Sequence, residues 1–290
     1  MRASWINCGR PEGTPVTRTC EGGCIALHRG QCRMPMDWGL ARDYAARDGY
    51  PEETPLTEAE WLAETDPRTL FLFRGSRQSG RKMRLLAVAC CRRFACLLSE
   101  EARELLEVAE RVAEGTAAPG ERQRALGRAY AVALVSDRSA ARRRGLAKAA
   151  VIETLQHNVH LAAGNAVWRT LRIGGMEKAR AAGSLEAGLV AHGIEQAALV
   201  REVIGNPFRS TPTIDPAWHA WRDGTVPQLA KAAYEERRSP EGTLETARLA
   251  LLADALEDAG CTDAELLAHL RSSGPHVRGC WAVDFVLGKS

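Results

Sequence analysis

Aromatic residues make up only 6% of this chain. Sheet cores draw on aromatic and β-branched residues, so the shortage points instead to aliphatic, alanine-rich helix packing. Lysine is scarce as well: 34 of the 39 basic residues are arginine and five are lysine. With so much alanine and glycine, that bias reads as GC-rich coding rather than function. Arginine clusters such as Arg142-Arg143-Arg144 are discounted accordingly. Net charge is also lacking, at +3, which argues against a nucleic-acid partner. No run of 18 apolar residues occurs, so no transmembrane helix and no membrane partner are expected. The N-terminus has no apolar signal-peptide core. The expected location is therefore cytoplasmic, with the nine cysteines as reduced thiols.

Catalytic motifs are missing too. There is no nucleophile elbow, no H-E-x-x-H and no paired-carboxylate motif. Residues 75–82, GSRQSGRK, approach the phosphate-binding G-x-x-x-x-G-K-[ST] loop, but Lys82 comes one place late and no Ser or Thr follows to hold magnesium. A basic turn before a helix is the expected reading. His157 and His160 stand at i, i+3 without a local carboxylate, which favours structural contacts over metal binding.

What is present is helical text. Residues 1–55 are the exception. They are rich in Gly, Pro and Arg, show no sustained period and carry seven basic and seven acidic residues. They are expected to be a disordered or loosely packed extension, dispensable for folding of the rest. Cys20, Cys24, His28 and Cys32 stand four apart within it and raise the possibility of zinc. The spacing argues against zinc: one straight helix cannot wrap a tetrahedral ion, and zinc motifs separate their ligand pairs by a longer loop.

From Leu56 onward the helix signals follow one another. Thr57 and Glu60 form a capping box before Trp61 and Leu62. Asp66-Pro67 opens a second helix. Arg81–Leu98 is a third, whose Cys90, Cys91 and Cys96 read as packed small hydrophobes; Arg92 would favour a thiolate at Cys91, and burial would oppose it. Ser99 caps the next helix, and Pro119 starts another. Ser139 to Ile173 stays helical with a break expected near Gly164, Gly174-Gly175 is expected to break the chain, and Leu185–Ile204 forms a further helix. Three prolines between Gly205 and Pro216 mark a boundary, after which Asp215-Pro216 restarts a helix. Trp218 and Trp221 are expected to seat the last segment on the helices before it.

The C-terminal forty residues carry the clearest pattern. Leu249, Leu252, Leu256 and Ala259 share one helix face, and Gly260 suits a left-handed cap. Thr262 with Glu265 reads as a capping box over Leu266, Leu267 and Leu270. After Gly274-Pro275 a last helix can hold Trp281, Ala282 and Phe285. Trp281 is expected to be mostly buried against the Leu252/Leu256 face; His276 is a surface turn residue if the turn is a structural clasp, and a ligand if it is a binding site.

The expected fold class is therefore all-α, a multi-helix bundle or irregular helical array with a short C-terminal helical unit. The expected divisions are 1–55, 56–204 and 205–290.

Four motifs carry a family resemblance: TEAEWL at Thr57–Leu62, RKMRLLAVACCRRF at Arg81–Phe94, GNPF at Gly205–Phe208, and LADALEDAGC followed by GPHVRGCWAVDFVLGK near the C-terminus. Together they resemble a large paralogous family of uncharacterised bacterial helical proteins, over roughly residues 57–290. The resemblance implies a helical fold and no assigned chemistry.

The leading functional expectation is a non-catalytic protein-interaction or scaffold module with a protein partner and no cofactor. The alternative is a metal-binding protein or metal-dependent enzyme using zinc at the C-terminal turn. There Cys261, His276, Cys280 and Asp284, together with His269, offer ligand atoms. A third reading is nucleic-acid binding through Arg92-Arg93 and Arg142–Arg144.

Overall fold

The computed structural model of the 290-residue chain describes residues 56–74, 78–134, 141–209 and 214–289, together with three short strands in the first 55 residues. The chain divides into two compact units, Met1–Pro55 and Leu56–Ser290. In the first, β1 (Ile6–Asn7), β2 (Ala26–Leu27) and β3 (Gln31–Met34) pair antiparallel in the order β1-β3-β2. Ile6 lies opposite Met34, and Ala26 opposite Cys32. These strands fall where the sequence shows no strand period.

The second unit is all-α, apart from a ribbon of two-residue strands, β4 (Arg237–Arg238) and β5 (Thr243–Leu244). Its first helix, α1 (Glu58–Ala63), starts at the expected capping box, with Thr57 and Glu60 bonded reciprocally. The next is α2 (Pro67–Arg74). Then comes α3 (Gly80–Arg92), capped by Ser79 and buried at every position from Lys82 to Arg92. A helix buried all round must find partners for its charges. Lys82 reaches Asp284 at 2.6 Å. Arg84 donates to the Thr154 and Gln156 carbonyls, and Arg92 pairs with Glu110 at 2.9 Å and with Glu107.

Around α3 pack α4 (Glu100–Ala113, capped by Ser99), α6 (Ala141–Thr154), α7 (Val159–Ala182) and α8 (Leu185–Ile204). Helix α5 (Glu121–Leu134) lies on α4 and α6. The break expected near Gly164 comes earlier, at residues 155–158, where Asn158 caps α7. Gly174-Gly175, expected to break the chain, lies inside α7. Two glycines cost a helix about 1 kcal/mol each. Here they admit α8, because a Cβ on Gly174 would sit 2.2 Å from the His192 ring and one on Gly175 2.6 Å from Leu189.

After the proline-rich turn, Asp215 caps α9 (Pro216–Ala220) as expected. Helices α10 (Thr225–Glu235), α11 (Thr246–Asp258), α12 (Ala264–Arg271) and α13 (Trp281–Val286) enclose a core of Leu249, Leu252, Leu256, Leu266, Leu270 and Val283. Trp218 and Trp221 pack partly buried against it. Gly260 takes the expected positive φ of 91°. The cap of α12 is Asp263 rather than Thr262. Its carboxylate accepts the Glu265 and Leu266 N–H groups, so the helix starts one residue later than the T-D-A-E pattern implies. Two further cores lie under α3, one with α4–α7 and one with α1, α2, α7, α8 and Val277.

Candidate metal centre

The end of α8 and the turn after α12 meet through local features. Gly205 leaves α8 with φ of 78°, and a Cβ there would meet Trp281 Cβ at 3.2 Å. The turn is pinned to β5, whose Leu244 N–H donates to the His276 carbonyl at 2.9 Å. Cys280 stands immediately before α13. This arrangement brings Glu202 of α8, His269 of α12, and His276 and Cys280 of the turn together. One ligand atom from each lies within 4.8 Å of all the others.

His269 Nε2 is 3.1 Å from Glu202 Oε2 and 3.4 Å from Cys280 Sγ. His276 Nδ1 is 3.3 Å from Glu202 Oε1. A tetrahedral ion with bonds of about 2.0–2.3 Å holds neighbouring ligand atoms about 3.3–3.7 Å apart; these three separations lie near that range, and the four-residue set, which spreads to 4.8 Å, would have to draw in slightly. The far nitrogen of His276 is fixed separately: Nε2 lies 3.1 Å from the Ser272 carbonyl and 3.2 Å from its hydroxyl. A carbonyl only accepts, so Nε2 carries a hydrogen; Nδ1 then presents its lone pair to the Glu202 carboxylate in the neutral ring and donates a hydrogen bond to it in the imidazolium. Two acceptors facing each other need a proton or a cation between them. A histidine held to a carbonyl through its other nitrogen is also the usual support of a metal ligand.

Burial sharpens this. Glu202, His276 and Cys280 are all buried. Burial pushes the Glu202 carboxyl up, but hydrogen bonds from His269 and His276 outweigh it and bring it to about 2. At His276 burial lowers the pKa, and the Glu202 hydrogen bond, the Glu202 charge and the Ser272 carbonyl together more than reverse this, so it ends raised. Burial raises the Cys280 thiol well above its ordinary value and the Glu202 charge adds to it, while the Ala282 and Val283 N–H groups oppose in part. A bound cation would reverse the balance at sulfur, because a coordinating thiol is deprotonated.

The arrangement does not fit a cysteine nucleophile with a histidine base. Such a base uses one nitrogen for the nucleophile and the other for the orienting carboxylate. Here one nitrogen, His269 Nε2, faces both Cys280 and Glu202, and the sulfur is fully buried. The donors converge on a point rather than forming a relay.

Of the residues the sequence nominated, His276 and Cys280 meet, and His269 joins them. Of the two alternatives for His276, the surface turn residue is excluded: it is 2% exposed, with its ring turned in to Glu202. Asp284 goes elsewhere. Arg81 grips it with two bonds of 2.8 Å and Lys82 adds a third contact, so α3 neutralises it. Cys261 is taken up in the core of α10–α13. Cys20, Cys24 and His28 lie outside the described residues, and Cys32 is described only as backbone of β3. Glu202 was missed. No local motif surrounds it, and the one available sign is an ionisable residue between apolar Val200 and Val203 on a helix face that must be buried.

The other nominated groups have structural roles. Trp281 is mostly, though not fully, buried: it packs on the α10–α13 core that holds Leu252 and Leu256, and its ring centroid lies 4.8 Å from that of His269 at a tilt of 50°. Cys90 and Cys91 are buried as expected, and Cys96 is exposed. Burial drives the Cys91 thiol well above its usual value, against Arg92. Arg92 and Arg93, offered for nucleic acid, are engaged by Glu107 and Glu110 and by Glu195 respectively. Among the described residues, no helix is long and apolar enough to cross a membrane.

No family model, no curated protein and no solved structure matches the chain.

Proposed function

We propose that this is a non-catalytic helical scaffold protein that binds one zinc-type divalent ion through Glu202, His269, His276 and Cys280. The observation that supports it is the convergence of two imidazoles and a thiol on one buried carboxylate, with His276 Nδ1 aimed at Glu202. The mixed N, O and S donor set suits a borderline ion such as Zn²⁺ rather than oxygen-seeking Ca²⁺ or Mg²⁺. Four protein ligands fill a tetrahedral shell, the pattern of structural rather than catalytic zinc. The ion would fasten the C-terminal turn to α8.

Metal analysis of the full-length protein, purified without chelator, tests this. The expected result is about one zinc-type ion per chain, lost in both Glu202→Gln and Cys280→Ser. An ion retained by both variants would place it on other ligands, with the N-terminal cysteines the first suspects. No ion in the wild type would end the proposal.

A further inference from the structure

We infer that His269 is the exchangeable ligand of this centre, the side chain that swings aside to admit and release the ion. The inference rests on the metal-binding reading above. The four donors are not equally enclosed. The side chains of Glu202, His276 and Cys280 are 2%, 1% and 0% exposed, whereas His269 is 19% exposed. The three enclosed donors are also anchored. Glu202 lies in the last turn of α8 and accepts the Val277 N–H at 3.4 Å. His276 is tied back to Ser272, and Cys280 leads directly into α13.

His269 differs. It sits in the last turn of α12, and the contacts that draw it inward are those of Nε2 with Glu202 and Cys280. Its ring also meets that of His276 edge-on at 5.0 Å and the partly buried ring of Trp281 at 4.8 Å. A rotation about χ1 carries an imidazole between staggered wells without disturbing the helix. The route to solvent therefore runs past His269. With His269 turned out, the ion keeps a carboxylate, an imidazole and a thiolate and gains one open position. Three protein ligands plus an open position is the coordination of reactive rather than structural zinc sites. A single side-chain rotation thus separates a closed centre from one that takes an external ligand.

The test uses the full-length protein loaded with Co²⁺, with Glu202→Gln as the blank for ion bound elsewhere. His269→Ala and His269→Gln should each still bind Co²⁺ above that blank. Their visible absorption should lose the intensity of four protein ligands. Chelator should extract the ion at least about tenfold faster than from the wild type, since ligand loss acts mainly on the off-rate. Added imidazole should restore the spectrum of His269→Ala by filling the vacated position, which a merely structural histidine would not permit. Unchanged extraction rates would overturn the inference, as would complete loss of the ion from variants that circular dichroism shows to be folded. Failure of the wild type to bind Co²⁺ is a separate result: it removes the metal-binding reading itself.

Discussion

Buried charges in this protein behave according to the number of partners they find. Glu202 has two imidazoles and a backbone N–H, and its pKa falls. Glu153, on α6, is 2% exposed and has weaker help: Arg169 at 3.4 Å and a hydrogen bond from Asn165. Burial dominates and raises it to about 7. A carboxyl with a raised folded-state pKa holds its proton more tightly folded than unfolded. Its stabilising contribution is complete below the unfolded pKa, near 4.5, and is lost as pH rises through about 7. The loss is on the order of 3 kcal/mol. Denaturation of wild type and Glu153→Gln between pH 5 and pH 8 should show the variant gaining relative to wild type as pH rises. Parallel profiles would mean that Glu153 stays ionised throughout.

At the scale of elements, glycines act through what faces them. Gly188 of α8 lies where a Cβ would be 2.3 Å from the Gly175 carbonyl oxygen and 2.8 Å from Ala179 N, both backbone atoms of α7. Neither can move without separating the helices. Gly188→Ala should therefore destabilise by at least about 1–3 kcal/mol despite alanine's better helix propensity. Gly127 in α5 has nothing within 4 Å, so Gly127→Ala should stabilise by up to about 1 kcal/mol. Chemical denaturation of the two variants checks the pair, and similar effects would contradict the α7–α8 contact. The same contrast explains what was legible at this scale. Caps at Thr57, Ser99 and Asp215 are visible because cap and helix lie within a few residues of each other. Gly174-Gly175 misleads because its reason, the His192 ring and Leu189, stands across the helix interface.

For the molecule as a whole, the C-terminal segment is tied back to earlier helices at several buried polar points, Glu110 with Arg237 and Arg278 among them, and two matter here. Asp284 takes Arg81 and Lys82 of α3, and Glu202 of α8 takes His269 and His276. If an ion occupies the second point, it binds only the folded chain, and its binding energy becomes stability. At a free concentration a thousandfold above Kd that amounts to about 4 kcal/mol. Stripping the ion with chelator should lower Tm by several degrees or more, and restoring zinc should recover it. Glu202→Gln should not respond. Identical melts with and without chelator for the wild type would leave two histidines and a carboxylate paired by protons alone.

The sequence by itself determined that this chain is helical: few aromatics, abundant alanine, apolar stripes at helical spacing and caps that are read locally. It also marked the turn after α12 as rich in ligand atoms. It did not decide which of them meet. Asp284 and Cys261 carry donors as suitable as those of His276 and Cys280, and one is neutralised by α3 while the other sits in a core. Glu202, the carboxylate at the centre, is 67 residues before His269 in the chain (269 less 202). Convergence across such a separation depends on how α8 packs beneath the C-terminal turn. Only tertiary contacts set that packing, because local signals specify where helices begin and end but not which faces they bring together.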